Sequence, residues 1–130
     1  MSHQPSVVAV LRYQDAKQAL EFLHDAFGFQ QTMVVPGEGN TIAHAEMSFG
    51  NGKVMLASDS SEPGTGGAAN TYSGVYATVT DPDEHCARAR TAGAEITMEP
   101  TDMDYGSREY AARDLEGHHW YFGTYQPSVS

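Results

Sequence analysis

The sharpest chemistry in the sequence is a histidine and a glutamate two residues apart, His44 and Glu46, in the stretch TIAHAEMSF. Residues two apart in an extended chain point to the same side. Ala43, Ala45 and Met47 then form an apolar face, and His44, Glu46 and Ser48 point the other way. Such a pair could supply two metal ligands, or an acid/base couple in which the carboxylate tunes the imidazole. It reads equally well as an ion pair on a half-exposed polar strip. The remaining histidines are weaker candidates. His3 stands in the polar stretch Met1 to Pro5, and His24 and His85 fall on helical stretches where a lone histidine usually faces solvent. The adjacent His118 and His119 cannot both face one site. In HHWYFGTY, Trp120 and Phe122 suit the core on the side of His118, which leaves His119 and Tyr121 facing a cleft.

Parity extends the candidate set. Val8, Val10 and Arg12 share one side of the opening strand, where Arg12 could hold an acidic group. Val75, Ala77 and Val79 suit the side of a covering helix, which sends Tyr76 and Thr78 the other way. A tyrosine in a pocket offers a large flat surface with a hydroxyl, which suits recognition without chemistry. The ligand-binding candidates are therefore Arg12, His44, Glu46, Tyr76, Thr78, His119 and Tyr121, with His44 and Glu46 also the catalytic candidates. Arg108, Glu109 and Arg113 surround a late hairpin, and the loop from Thr101 to Gly106 reads as a lid. The single cysteine, Cys86, excludes an internal disulfide and a multi-cysteine zinc site, and on a helix facing a sheet it is a small core residue. No Ser-His-Asp order, phosphate loop or CxxC element supports hydrolase, kinase or redox chemistry.

The elements that must position these residues come in two copies. VVAVLRYQ reads as a strand. Asp15 then caps a helix whose apolar residues Ala16, Ala19, Leu20, Leu23, Ala26 and Phe27 recur at helical spacing up to Gly28. GVYATVT, Asp81-Pro82 and a helix through Cys86, Ala89 and Ala92 to Gly93 repeat the pattern, with caps 66 residues apart and helix stops 65 apart. Three strands follow each helix: QQTMVV, TIAHAEMSF and KVMLAS, then AEITMEP, Arg108 to Arg113 and HHWYFGTY. Asn51-Gly52 is the strongest hairpin signal, and Gly52 and Gly117 stand 65 apart as a third landmark. The sequence thus predicts an α+β fold of two tandem βαβββ modules, 6–59 and 71–126, joined by a Gly/Pro-rich linker over 60–70, in one domain of 130 residues. The helix covers one face of each sheet. The other face must meet a twin, within the chain or in a second copy, so a curved mixed sheet around a cleft is expected. The first and fifth strands as open edges favour a homodimer.

Charge narrows the partners. Seventeen acidic against seven basic residues give a net charge of −10, the wrong sign for a nucleic-acid binder and mildly favourable to cationic ligands. No apolar run approaches the roughly 18 residues of a membrane span, so no membrane partner is expected and a reducing cytoplasm is the default location.

Three stretches carry a family likeness: LRYQDAKQALEFLHDAFGF, VTDPDEHCARARTAGAE and, most specifically, YGSREYAARDLEGHHWYFGTY. Over roughly residues 6 to 126 the chain resembles the glyoxalase/bleomycin-resistance/dioxygenase group, the vicinal oxygen chelate superfamily, and most of all its single-domain bleomycin-resistance-like members. The likeness implies the glyoxalase/bleomycin-resistance fold. In the group's metalloenzymes His and Glu side chains on the inner strands hold a divalent metal. Here those slots fall on Val8, on a fourth strand (Lys53 to Ser58) without His or carboxylate, on Gly74 or Val75, and on Tyr121. None suits zinc, nickel, manganese or iron, so no metal and no other cofactor is expected. The likeness also places an aromatic at Tyr76 against a planar ligand and, in some glyoxalases, an arginine at Arg12 against an anionic substrate. It implies a protein that binds or sequesters a small organic molecule, aromatic or cationic, as in antibiotic resistance. The alternative is a lyase or isomerase using His44 and Glu46 as displaced metal ligands or as an acid/base pair.

Overall fold

Asp15 and Asp81 start the two helices as their spacing predicts, each accepting a hydrogen bond from the backbone N–H three residues on, of Gln18 and Glu84. The computed structural model describes residues 5–59 and 73–127; the predicted linker, 60–70, lies outside the described residues. The first module runs β1 (Ala9–Tyr13), α1 (Ala16–Phe22, continued by a wide π-wound turn, Leu23–Phe27), β2 (Gln30–Pro36), β3 (Ile42–Phe49) and β4 (Gly52–Ser58). The second runs β5 (Gly74–Thr78), α2 (Pro82–Thr91), β6 (Glu95–Asp102), β7 (Arg108–Arg113) and β8 (His119–Gly123). Each module forms a four-stranded sheet, ordered β1-β4-β3-β2 and β5-β8-β7-β6, with the opening strand parallel to the last and the other pairs antiparallel. The two-module α+β reading holds.

The mismatch between offsets of 66 and 65 has a physical source. Gly28 lies 13 positions beyond Asp15, whereas Gly93 lies 12 beyond Asp81. The π-wound turn takes up the extra residue, as one residue inserted into an α-helix does. Three local expectations shift. The two-residue hairpin loop is Gly50-Asn51 rather than Asn51-Gly52, because Gly50 takes the positive φ of 57° and Gly52 already pairs with Phe49. Gly117, at φ 90°, sits within a longer turn, so the two glycines are not equivalent. On β3, Ile42 rather than Ala43 is buried, because a register irregularity separates the pairs Val35–His44 and Pro36–Ile42 and leaves Ala43 outside. The stretch read as a lid is the end of a strand and a turn. Thr101 and Asp102 belong to β6, and Met103 N–H to Ser107 O (2.7 Å) closes a tight turn.

The modules meet through their helix-bearing faces. Leu11, Tyr13, Leu20, Phe27, Met47 and Leu56 of the first share one core with Cys86, Tyr110, Trp120 and Phe122 of the second. Phe27, at the end of the π-wound turn, packs on Trp120 and Phe122 at centroid distances of 5.3 and 4.8 Å. Carbonyls freed at this helix end are taken by the second module: Arg88 donates to Asp25 O and His24 O, and His85 Nε2 donates to Phe27 O. His85 is thus a junction residue rather than a solvent-facing one. Its Nδ1 accepts from the Tyr110 hydroxyl at 2.6 Å, and burial lowers its pKa.

A second clasp uses the β7–β8 turn. The buried Asp114 carboxylate accepts from Tyr13 Oη (2.6 Å), Trp120 Nε1 (3.0 Å) and the backbone N–H groups of Glu116 and His118. Glu116 accepts from the N–H groups of Gln14 and Asp15, and His118 Nε2 donates to Arg12 O. The Asp114–His118 part of the family-like stretch is therefore structural: it pins the second module to the start of the first helix.

Candidate functional site

With the helix-bearing faces of both modules buried in one shared core, the other face of each sheet is left more open. All seven sequence-derived binding candidates fall on or beside these faces, in two separate groups.

On the first sheet, register aligns Val10, Met55, Glu46 and Met33 in one row, and beside it pairs Arg12 with Ala57 and His44 with Val35. The rows are mostly apolar, with Val10, Met33 and Val35 exposed. His44 Nε2 lies 2.9 Å from Glu46 Oε2, and Lys53 Nζ lies 3.7 Å from Glu46 Oε1. The hydrogen bond from His44, with the nearby Lys53 ammonium, holds the Glu46 carboxyl below the usual carboxylate range. A carboxylate held low is a weak base, so this cluster is better arranged as an ion pair than as a proton acceptor. Arg12 is exposed, and its side chain forms no ion pair among the described residues.

On the second sheet Tyr76 pairs with Tyr121, Gly74 with His119, and Thr78 with Gly123, which in turn pairs with Glu109. Glycine is required at two of these positions. A Cβ on Gly74 would meet the Tyr121 ring at 2.6 Å and the His119 carbonyl at 2.8 Å. A Cβ on Gly123 would meet Glu109 Cγ at 2.4 Å and the Tyr76 hydroxyl at 2.9 Å. Side chains thus lie across a glycine floor. The hydroxyls of Tyr76 and Thr78 both donate to the Tyr125 carbonyl, at 2.6 and 3.0 Å, so the segment after β8 crosses this face. Tyr125 N–H donates to Ser107 Oγ, and its ring stands edge-on to Tyr105 at 6.1 Å. Tyr105 donates to Glu109 Oε2 at 2.9 Å. Burial, reinforced by the Glu109 charge, raises the Tyr76 pKa; the hydrogen bond to Glu109 raises that of Tyr105.

Sequence reasoning thus located Tyr76, Thr78 and Tyr121 but missed Tyr105 and Tyr125, which stand in loops where no periodicity points. Glu109 was legible through parity, since Tyr110 and Ala112 are buried and Glu109 alternates with them. His119 lies at the edge of this face and His118 is spent in the clasp.

The positions that the family likeness aligns with metal slots are Val8, Gly74 or Val75, and Tyr121, and among the described residues there is no group of three or more His, Cys, Asp or Glu side chains that could hold a metal ion. A groove of about 390 Å³, lined by Phe27, Phe49, Thr78, His85 and Arg88, lies at the junction on the helix side. No helix is long and apolar enough to cross a membrane among the described residues.

Residues 6–122 match the family model of the Glyoxalase/Bleomycin resistance protein/Dioxygenase superfamily. The uncharacterized protein Rv0887c of Mycobacterium tuberculosis is 30% identical over 127 residues, covering 92% of this chain and 74% of that one. Among solved structures, TioX from Micromonospora sp. ML1 is similar at 36% identity with a TM-score of 0.75, covering 97% of this chain and 100% of that one. The fosfomycin resistance protein FosX from Listeria monocytogenes, complexed with Mn(II) and sulfate, superposes with a TM-score of 0.71 over 94% of this chain and 93% of its own. At 13% identity that likeness speaks for the fold alone.

Proposed function

Since the chain belongs to the glyoxalase/bleomycin resistance protein/dioxygenase superfamily, we propose that it is a cytoplasmic binding protein that sequesters a small organic molecule, without a metal or other cofactor, in a cleft closed between two copies. One wall is the Arg12, His44 and Glu46 face of one protomer. The other is the Tyr76, Thr78, His119 and Tyr121 face of its partner. What supports this reading is that the helix-bearing faces of both modules are buried in one shared core, which leaves the other face of each sheet open. Neither can close a cleft with the other in the same chain, and a twofold axis lets each copy offer its first face to the partner's second, closing two equivalent clefts. Exposed Val10, Met33 and Val35 on one face and exposed tyrosines on the other are surfaces that association would cover. The edge positions of β1 and β5 leave unpaired backbone for the same purpose. The furnishing of the second face, aromatic and hydroxylic over a glycine floor, favours holding a ligand over converting it.

The contact between His44 and Glu46 supports the second reading, an isomerase or lyase with this pair as acid and base. A panel of planar aromatic and cationic organic compounds, screened by thermal shift and followed by mass spectrometry of the recovered compound, separates the two. Binding predicts a raised melting temperature with the compound returned unchanged. Conversion to a product, lost in His44→Ala, would overturn the binding reading. Calorimetry with nickel, zinc and manganese is expected to show no tight stoichiometric uptake; tight uptake lost in His44→Ala would restore a metal site.

A further inference from the structure

Glu109 stands out among the charges. Three exposed carboxylates of the second module have cations beside them, since Asp83 and Asp102 share Arg108 and Glu99 has Arg90; Asp81, Glu84, Glu95 and Asp104 are exposed and form no ion pair among the described residues. Glu109 is half-buried and forms no ion pair among the described residues; its one polar contact is the hydroxyl of Tyr105. A partly desolvated carboxylate without a counter-ion is unfavourable on its own, and it becomes an asset where a cation is to be received.

Its surroundings are suited to such a cation. Tyr76 and Tyr121 are cross-strand neighbours on the same face, and Tyr105 and Tyr125 stand edge to face beside Glu109. Tyr105, Tyr121 and Tyr125 remain 64%, 42% and 50% exposed, although tyrosine rings are normally covered when the fold allows. Gly123 leaves room above the sheet for both the Glu109 stem and the Tyr76 hydroxyl. Ring faces with a carboxylate among them attract alkylammonium groups, because the ring quadrupole and the full charge act on the same side of the ligand.

We propose that this face is a cation-selective site, in which Glu109 and the rings of Tyr76, Tyr105, Tyr121 and Tyr125 receive the substituted ammonium group of an organic molecule. The inference rests on the binding reading above and narrows its ligand class. The chain's net charge of −10 favours the approach of such ligands at low ionic strength.

The test uses choline and its neutral isostere 3,3-dimethylbutan-1-ol, titrated into the full chain while the ring resonances of the four tyrosines are followed by NMR. Choline is expected to shift them saturably, with the neutral isostere weaker by about tenfold or more, and with Glu109→Gln losing about the same factor for choline only. Retention of fold and oligomeric state by Glu109→Gln is checked by circular dichroism and sedimentation. Equal binding of the two probes would overturn the cation assignment while leaving small-molecule binding intact. Absence of saturable shifts with both would overturn the assignment as well. If Glu109→Gln or Arg12→Ala instead dissociates a dimer, Glu109 is the counter-ion of the partner's arginine, and the assignment falls.

Discussion

Replacing Asp114 by alanine tests the clasp that joins the modules. The carboxylate accepts four hydrogen bonds, two of them from side chains with almost no access to water: Tyr13 is 1% exposed and Trp120 is 0% exposed. Removing the acceptor leaves both donors buried without a partner, each costing about 1–3 kcal/mol. The two backbone N–H groups lie nearer solvent and add less. The expected loss is therefore about 4 kcal/mol, a large part of the stability of a domain of this size. Trp120, the only tryptophan, reports on its own surroundings, so urea unfolding followed by its fluorescence measures the loss directly. Tyr13→Phe in the Asp114→Ala background removes one orphaned hydroxyl. The double variant should therefore be more stable than the sum of the single losses by about 1 kcal/mol. A loss below about 1 kcal/mol in Asp114→Ala, or strict additivity in the double variant, would refute the clasp.

Two further predictions follow from the same geometry. Burial lowers the His85 pKa below its ordinary value near 6.5, so the neutral ring is favoured in the fold. Its contribution is full above about pH 6.5 and is lost as pH falls below that toward the folded-state pKa, because the unfolded chain takes up the proton first. Urea midpoints should decline between about pH 7 and 5, and His85→Asn should flatten that decline; an unchanged slope in the variant would show that His85 is not the group responsible. Gly123→Ala should displace the Glu109 stem and the Tyr76 hydroxyl at a cost of about 1–3 kcal/mol and abolish the choline response; full retention of that response would remove the glycine floor from the account.

The repeat, the helix caps and the alternation of buried and open residues were legible because each depends on local spacing. Asp15 and Asp81 cap as their sequence neighbours dictate, and Trp120 and Phe122 are buried as strand parity requires. What spacing cannot carry is the relation between modules. Nothing near Asp114 signals that its partner is Tyr13, 101 residues away, or that His85 would reach the carbonyl of Phe27. Those contacts depend on which face of each sheet turns inward, a decision of the whole core. The same limit applies to the site. Tyr76 and Tyr121 follow from parity, whereas Tyr105 and Tyr125 arrive through loops, and the π-wound turn absorbs a residue that no composition rule marks. The shift of the hairpin to Gly50-Asn51 has a simpler cause: two glycines flank Asn51, and the one at the first loop position took the positive φ.

The central claim is that the open faces are completed by a second copy. Sedimentation velocity at micromolar concentration tests it most directly. The account predicts a species of twice the 14.1 kDa chain mass that falls to the monomer when Val10, exposed on the first face, is replaced by aspartate. A wild-type monomer, or a dimer indifferent to Val10→Asp and to Tyr121→Asp on the other face, would contradict it.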